Sequence, residues 1–346
     1  MNSRIAMPDP RSVDGAPDGS SPALGRYGVV GVRRWPRLGV IRGLAVAALL
    51  AACSGGTSAP TTPGDVVGRT VTDPTGWIEY TPGDAPLVII APHGGTLAPA
   101  ELPDRRCDGC VTVDDANTQE LARQIALVFR QRTGARAHLV VNRLRRRKFD
   151  GNRDLAEASG GTPALAAPWA WMHAAVDSAE AAIVRRTGRG LVIDLHGHAH
   201  AVARLELGYL LGAAELRATD EALASAGAMA RSSIARLATD TRRASDRGVP
   251  LLRGATSLGT LLTRAGVPAV PSAADVAPLV GQDYFTGGYN TARHGSRDGG
   301  ALDAIQIECH FTGVRDTPAT RAAFAEALVQ ALATYLETHY GWRGPG

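Results

Sequence analysis

Two histidines stand where buried apolar runs give out. His93 follows the run from Leu87 to Ala91, in Pro92-His93-Gly94-Gly95, and His196 follows Gly190-Leu-Val-Ile in Asp194-Leu195-His196. Glu308 lies in a third such run, Ala304-Ile-Gln-Ile-Glu-Cys309. Imidazole and carboxylate are zinc ligands, and a catalytic zinc keeps three protein ligands and one open position for water. His93 and His196 are read as two of those ligands. The third is sought among the carboxylates Asp115, Glu101 and Asp114; Asp115 leads, although it could serve only as the N-cap of the helix it opens. Asp194, two residues before His196, suits the partner that holds its imidazole, and His198 and His200 read as rim residues. A carboxylate inside an apolar strand is costly to bury unpaired, so Glu308 is either a core ion pair or a catalytic base. We take it as the base.

The elements that carry these residues form an alternating series. Apolar runs at 87–91, 138–142, 190–194, 205–212 and 304–309 read as strands covered on both faces. Between them, helical spacing predicts helices over 115–133, 168–187, 219–240 and 318–338, with Pro168 and Pro318 as starts and Gly134 and Gly188 as stops. The class is α/β, with a mostly parallel or mixed central sheet and helices on both faces. In such sheets ligands bind beyond the carboxyl ends of the strands. Four strand ends offer side chains there: His93, the Asn142-Arg143 pair, His196 and Glu308. The run Arg145–Lys148 reads as a solvated basic surface.

The chain has 346 residues, 45% hydrophobic and 20% charged, with a formal charge of +4. Aromatics make up only 5% of it, so no surface interleaves basic and stacking residues as nucleic-acid binding requires. The basic stretch from Val32, the apolar run 43–52 and Leu50-Ala51-Ala52-Cys53 resemble a bacterial lipoprotein signal, in which Cys53 carries the lipid. Ten apolar residues are too few for a lasting membrane span. The expected organisation is therefore an N-terminal extension and signal over 1–53, a flexible tether over 54–76 and a catalytic domain over 77–342. Export to an oxidising compartment favours a Cys107–Cys110 disulfide over a zinc half-site, since no second CxxC completes one. Cys309 reads as buried and inert.

Six short motifs occur in order: PHGG at 92–95, Asp115-x-x-Thr118, DGNRD at 150–154, DLHGH at 194–198, FTGGYNTARHG at 285–295 and QIE at 306–308. Together they resemble the N-formylglutamate amidohydrolase family, relatives of the zinc carboxypeptidases, over Leu87 to about Leu336. The resemblance implies a zinc-carboxypeptidase-like fold, a metal held by His93, Asp115 and His196, and Glu308 as general base. It also implies that Asn152 and Arg153 hold a substrate carboxylate. Tyr289 and His294 are expected to line or close the pocket. The carboxypeptidase His-x-x-Glu is absent, because Thr96 stands three residues after His93, and this puts a carboxypeptidase activity in doubt. Export argues for an N-acyl amino acid, a small peptide or a cell-wall amide as substrate. Two rivals are a TIM-barrel amidohydrolase using His196 and His198, and a lipid-anchored binding protein without catalysis.

Overall fold

A computed structural model describes residues 66–107 and 109–345; the expected signal, Cys53 and the tether up to residue 65 lie outside the described residues. Eight strands form one mixed sheet: β1 (Val71–Thr72), β2 (Ile78–Thr81), β3 (Leu87–Ala91), β4 (His138–Asn142), β5 (Leu191–His198), β6 (Leu205–Gly208), β7 (Ala269–Val270) and β8 (Asp303–His310). Their spatial order is β1-β2-β4-β3-β5-β8-β6-β7. The centre, β4-β3-β5-β8, is parallel, while β2 and β6 join it antiparallel. The sheet is open, with edges at β1 and β7, which removes the TIM-barrel reading. The expected tether is corrected at its end: β1 pairs with β2, and Asp73 closes the turn between them by accepting from the N–H groups of Trp77 and Ile78.

Side-chain alternation along each strand decides what each face holds. Leu87, Ile89 and Ala91, Leu191, Ile193 and Leu195, and Ile305, Ile307 and Cys309 all enter one core. That core is covered by α1 (Thr118–Thr133) and α3 (Pro318–Tyr335), through Leu121, Ile125, Phe129, Phe324 and Leu328. Val88, Ile90, Val192 and Ala304 face the other core, under α2 (Ala166–Thr187). By the same parity Asp194, His196, Gln306 and Glu308 share the α2 face at the far ends of β5 and β8. His196 stands in register with Glu308, and Glu308 with Glu206.

The helix expected over 219–240 is corrected. It is three short helices, Asp220–Ser225, Ala228–Arg231 and Ala235–Asp240. Gly227, with φ 63°, breaks the first junction, and the fully buried Ser232 and Ser233 occupy the second. Local hydroxyl bonding competes with helix at such sites, and Ser232 Oγ donates to Met229 O. The strand expected to reach residue 212 ends at Gly208.

Candidate metal centre

Three chain segments meet at one carboxylate oxygen. His93 sits on the loop leaving β3, Asp115 just ahead of α1, and His196 near the end of β5. Asp115 Oδ2 is 3.3 Å from His93 Nδ1 and 3.1 Å from His196 Nδ1, and it accepts from Gly197 N–H at 3.2 Å. The imidazole rings lie edge to face with centroids 4.8 Å apart. All three residues are buried. Asp115 is not a helix cap: the N-cap of α1 is Asn117, in left-handed conformation, and its amide donates to Arg315 O. A Cβ on Gly94 would stand 2.4 Å from Gln119 N, so the missing side chain is what lets the start of α1 lie against the His93 loop. Glu101, the rival third ligand, is exposed and outside the donor cluster.

The far nitrogens of both rings also face carboxylates. His93 Nε2 is 2.5 Å from Asp150 Oδ1, and His196 Nε2 is 3.1 Å from Asp194 Oδ2. A neutral imidazole carries one N–H and one lone pair. With Nε2–H donating outward, each Nδ1 lone pair points at Asp115 Oδ2, and three electron-rich atoms converge without a proton between them. In that tautomer imidazolium or a shared cation supplies the missing positive charge, whereas a neutral His196 would instead donate Nδ1–H to Asp115 and accept from Asn152 Nδ2 at Nε2. In the metal-free protein the protonated form answers this at His196. Burial opposes its charge, but Asp194, Asp115 and Glu308 outweigh burial and hold its pKa well above the ordinary value. Burial likewise pushes Asp115 up, yet His93 and His196 hold it well below the usual carboxylate range. The residues therefore fit a divalent cation bound by two Nδ1 atoms and one carboxylate oxygen, with outer carboxylates fixing both tautomers.

Glu308 lies beside this cluster. Its Oε1 accepts from Gln306 Nε2 at 2.9 Å, and its Oε2 is buried without a hydrogen-bond partner among the described residues. Burial pushes its carboxyl up to about 8, with Asp115, Glu206 and Asp194 adding to the effect and His196 opposing it. A cleft of about 170 Å³ opens over these groups, lined further by Arg146, Asn152, Arg153, Gly288 and Phe285.

Several expected residues fall elsewhere. Tyr289 and His294 begin and end a short helix and do not line the cleft. His294 is buried against His173 (Nε2 to Nδ1, 3.0 Å), and Tyr289 packs edge-on to the same ring. The working residues of that segment are Asn290 and Thr291, whose side chains donate to Asp194. Asn290 N–H also fixes Asn152 Oδ1, which leaves Asn152 Nδ2 3.1 Å from His196 Nε2. Asn142 and Arg143 are structural: Asn142 donates to Pro92 O, and Arg143 pairs with Glu79. The basic run is not all surface. Arg146 reaches both Asp115 Oδ1 and Asp150 Oδ2 at 3.2 Å, and Arg105 reaches Asp150 Oδ2 at 3.3 Å. The signal for Arg146 was its place four residues before Asp150. Cys107 and Cys110 form a disulfide, and Cys309 is free and buried.

Among the described residues two further groups of donors lie close enough to hold an ion, His198-His200-Glu206 and Asp177-Glu180-His294. In the first, His198 Nε2 donates to Arg204 O and its Nδ1 accepts from His200 N–H, while Glu206 accepts from His200 and from Phe285 N–H. In the second, Arg293 already pairs with Asp177 at 3.6 Å.

Comparison with family models and with curated proteins returns no match. Solved structures that resemble the chain include N-formylglutamate amidohydrolase from Ralstonia eutropha JMP134, at 14% identity and TM-score 0.47, over 77% of this chain and 99% of that one. A gene product from Agrobacterium tumefaciens gives 15% and 0.38, over 74% and 94%. The N-acetylmuramyl-L-alanine amidase of Mycobacterium smegmatis gives 13% and 0.33, over 73% and 97%. At these scores and identities the likeness carries no argument about activity.

Proposed function

We propose that the protein is a zinc-dependent hydrolase of amide bonds, with His93, Asp115 and His196 as metal ligands and Glu308 as general base. One observation carries the reading: a single carboxylate oxygen lies between two Nδ1 atoms whose rings are both tied outward to carboxylates. Ligands about 2.0–2.1 Å from a tetrahedral zinc stand roughly 3.3 Å apart, close to the separations of 3.3 and 3.1 Å found here. Zinc would supply a Lewis acid and a water acidified to a pKa of about 7.

The chain's own groups do the rest. Glu308 Oε2, buried and unpartnered, takes a proton from water and passes it to the leaving nitrogen. A cation at the ligand cluster draws the raised Glu308 carboxyl down toward the ionised form that this role needs. Arg153, at the mouth, offers a planar fork to a substrate carboxylate. The substrate class is an N-acyl amino acid or small peptide-like amide. The protein is exported and held at a membrane through lipid on Cys53, a setting that suits the Cys107–Cys110 disulfide.

Metal analysis and turnover test this together. Purified protein should hold about one zinc per chain and release free amine from acyl amino acids or small peptides, and Glu308→Ala should abolish release while keeping zinc. Absence of zinc, or undiminished turnover in the variant, would sink the hydrolase reading.

A further inference from the structure

Beside the metal cleft lies a second hollow of about 180 Å³, beneath the Cys107–Cys110 loop and against Glu157. Val111 and Arg153 line both spaces, so Arg153 stands at a junction and not at a dead end. The polar groups on the floor of the hollow are already satisfied. Arg105 donates to the carbonyls of Arg146, Glu157 and Val111 and to Asp150, leaving it nothing for a ligand. Asp150 is fully engaged by His93, Arg105, Arg146 and Asn152 N–H.

The exchangeable groups are at the junction. Among the described residues the Glu157 carboxylate meets only Arg153, at 3.2 Å, in a pair exposed on both sides (63% and 38%). An exposed pair of this kind is weak and readily replaced. A ligand carbonyl or carboxylate arriving at Arg153 displaces Glu157, which is then free to accept an N–H from the part of the ligand lying in the hollow. An arginine so placed grips the middle of a ligand.

Resting on the hydrolase reading above, we infer that the substrate is a two-limbed, peptide-like amide. One limb lies over the metal ligands, and at least one further residue runs under the disulfide loop. A single N-acyl amino acid fills only half of the site.

The test compares N-acetylalanine with N-acetyl-alanyl-alanine on the full-length protein, scoring release of free amine. The longer compound should have a kcat/KM at least about tenfold higher, the worth of one or two added hydrogen bonds. Glu157→Trp, which fills the hollow from an exposed position, should bring that ratio close to one, whereas Glu157→Gln should keep most of it. Equal rates in the unaltered protein, or a ratio unmoved by Glu157→Trp, overturns the inference. Calorimetric binding of both compounds to Glu308→Gln separates the two readings. Tighter binding of the longer compound to this variant supports the second limb, and absence of cleavage of either compound by the unaltered protein then sinks the hydrolase alone; equal binding overturns the second limb whatever the turnover.

Discussion

Two histidine-carboxylate clusters sit at the same end of the sheet, and only one of them asks for an ion. In His198-His200-Glu206 the buried ring, His198, is served as a neutral imidazole should be. His198 has one donor and one acceptor, both from the backbone, and the two oxygens of Glu206 have one N–H each. In His93-Asp115-His196 both nitrogens of both rings face carboxylates. Nearness of donors is common to the two. What separates them is one carboxylate oxygen standing between two ring nitrogens, a place where a proton or a cation can be shared.

The most severe test of this difference removes one ring from each cluster. His196→Ala should lose essentially all retained metal, whereas His200→Ala should keep it, as measured by elemental analysis after gel filtration. Loss in both variants, or in neither, would erase the distinction. Next in size, Glu308→Gln should lower kcat by about 10²–10⁴ with metal content unchanged, because general-base transfer alone is removed. Arg146→Ala should weaken metal retention by about 10–100-fold in competition with a chelator. It frees both Asp115, proposed as a ligand, and the Asp150 that faces His93.

Acidity provides a gentler probe. The carboxylates around His196 hold its imidazolium well above the ordinary pKa, so at neutral pH an incoming ion must displace that proton. Apparent metal affinity should therefore rise with pH, by about tenfold per unit for each proton displaced, until the folded pKa is passed. A flat profile between pH 6 and 8 would contradict the protonation assigned here. The smallest effect concerns the satisfied cluster. Glu206→Gln should cost about 1–3 kcal/mol of stability in urea denaturation, from weakened bonds to His200 and Phe285 N–H, while metal content stays constant.

The strand-borne part of the site was legible in the sequence. A polar side chain that ends or interrupts a doubly buried strand has few innocent explanations, and His93, His196, Asp194 and Glu308 share that signature. Strand parity then puts His196, Asp194 and Glu308 on one face without further information. Asp115 was legible only in part, because an Asp before a helix serves equally as a cap, and it took Asn117 in the cap position to separate the two. The groups that loops bring in were not legible. Asp150 stood inside a noticed motif, but its contact with His93 depends on how residues 143–152 fold back over β3 and β4. Arg146 looked like its basic neighbours, although it turns inward onto Asp115 and Asp150. In the segment 285–295 the aromatic and imidazole side chains drew attention, while the smaller Asn290 and Thr291 make the contacts. The helix over 219–240 failed for a local reason, since alanine-rich periodicity outlasted a left-handed glycine and a buried serine pair.

The sheet order has a consequence for how the protein is made. The strand that carries Glu308 is inserted between β5 and β6 yet comes last of the eight along the chain. Along the chain His93, Asp115 and His196 all precede Glu308 by more than a hundred residues. Until β8 joins, β5 presents an unpaired edge, the kind of surface that invites mispairing. An early ion could bind such a half-built body without making it active. Occupancy and the proposed activity would then mark two separate moments in the folding of the chain, the second arriving only when the last strand slots home.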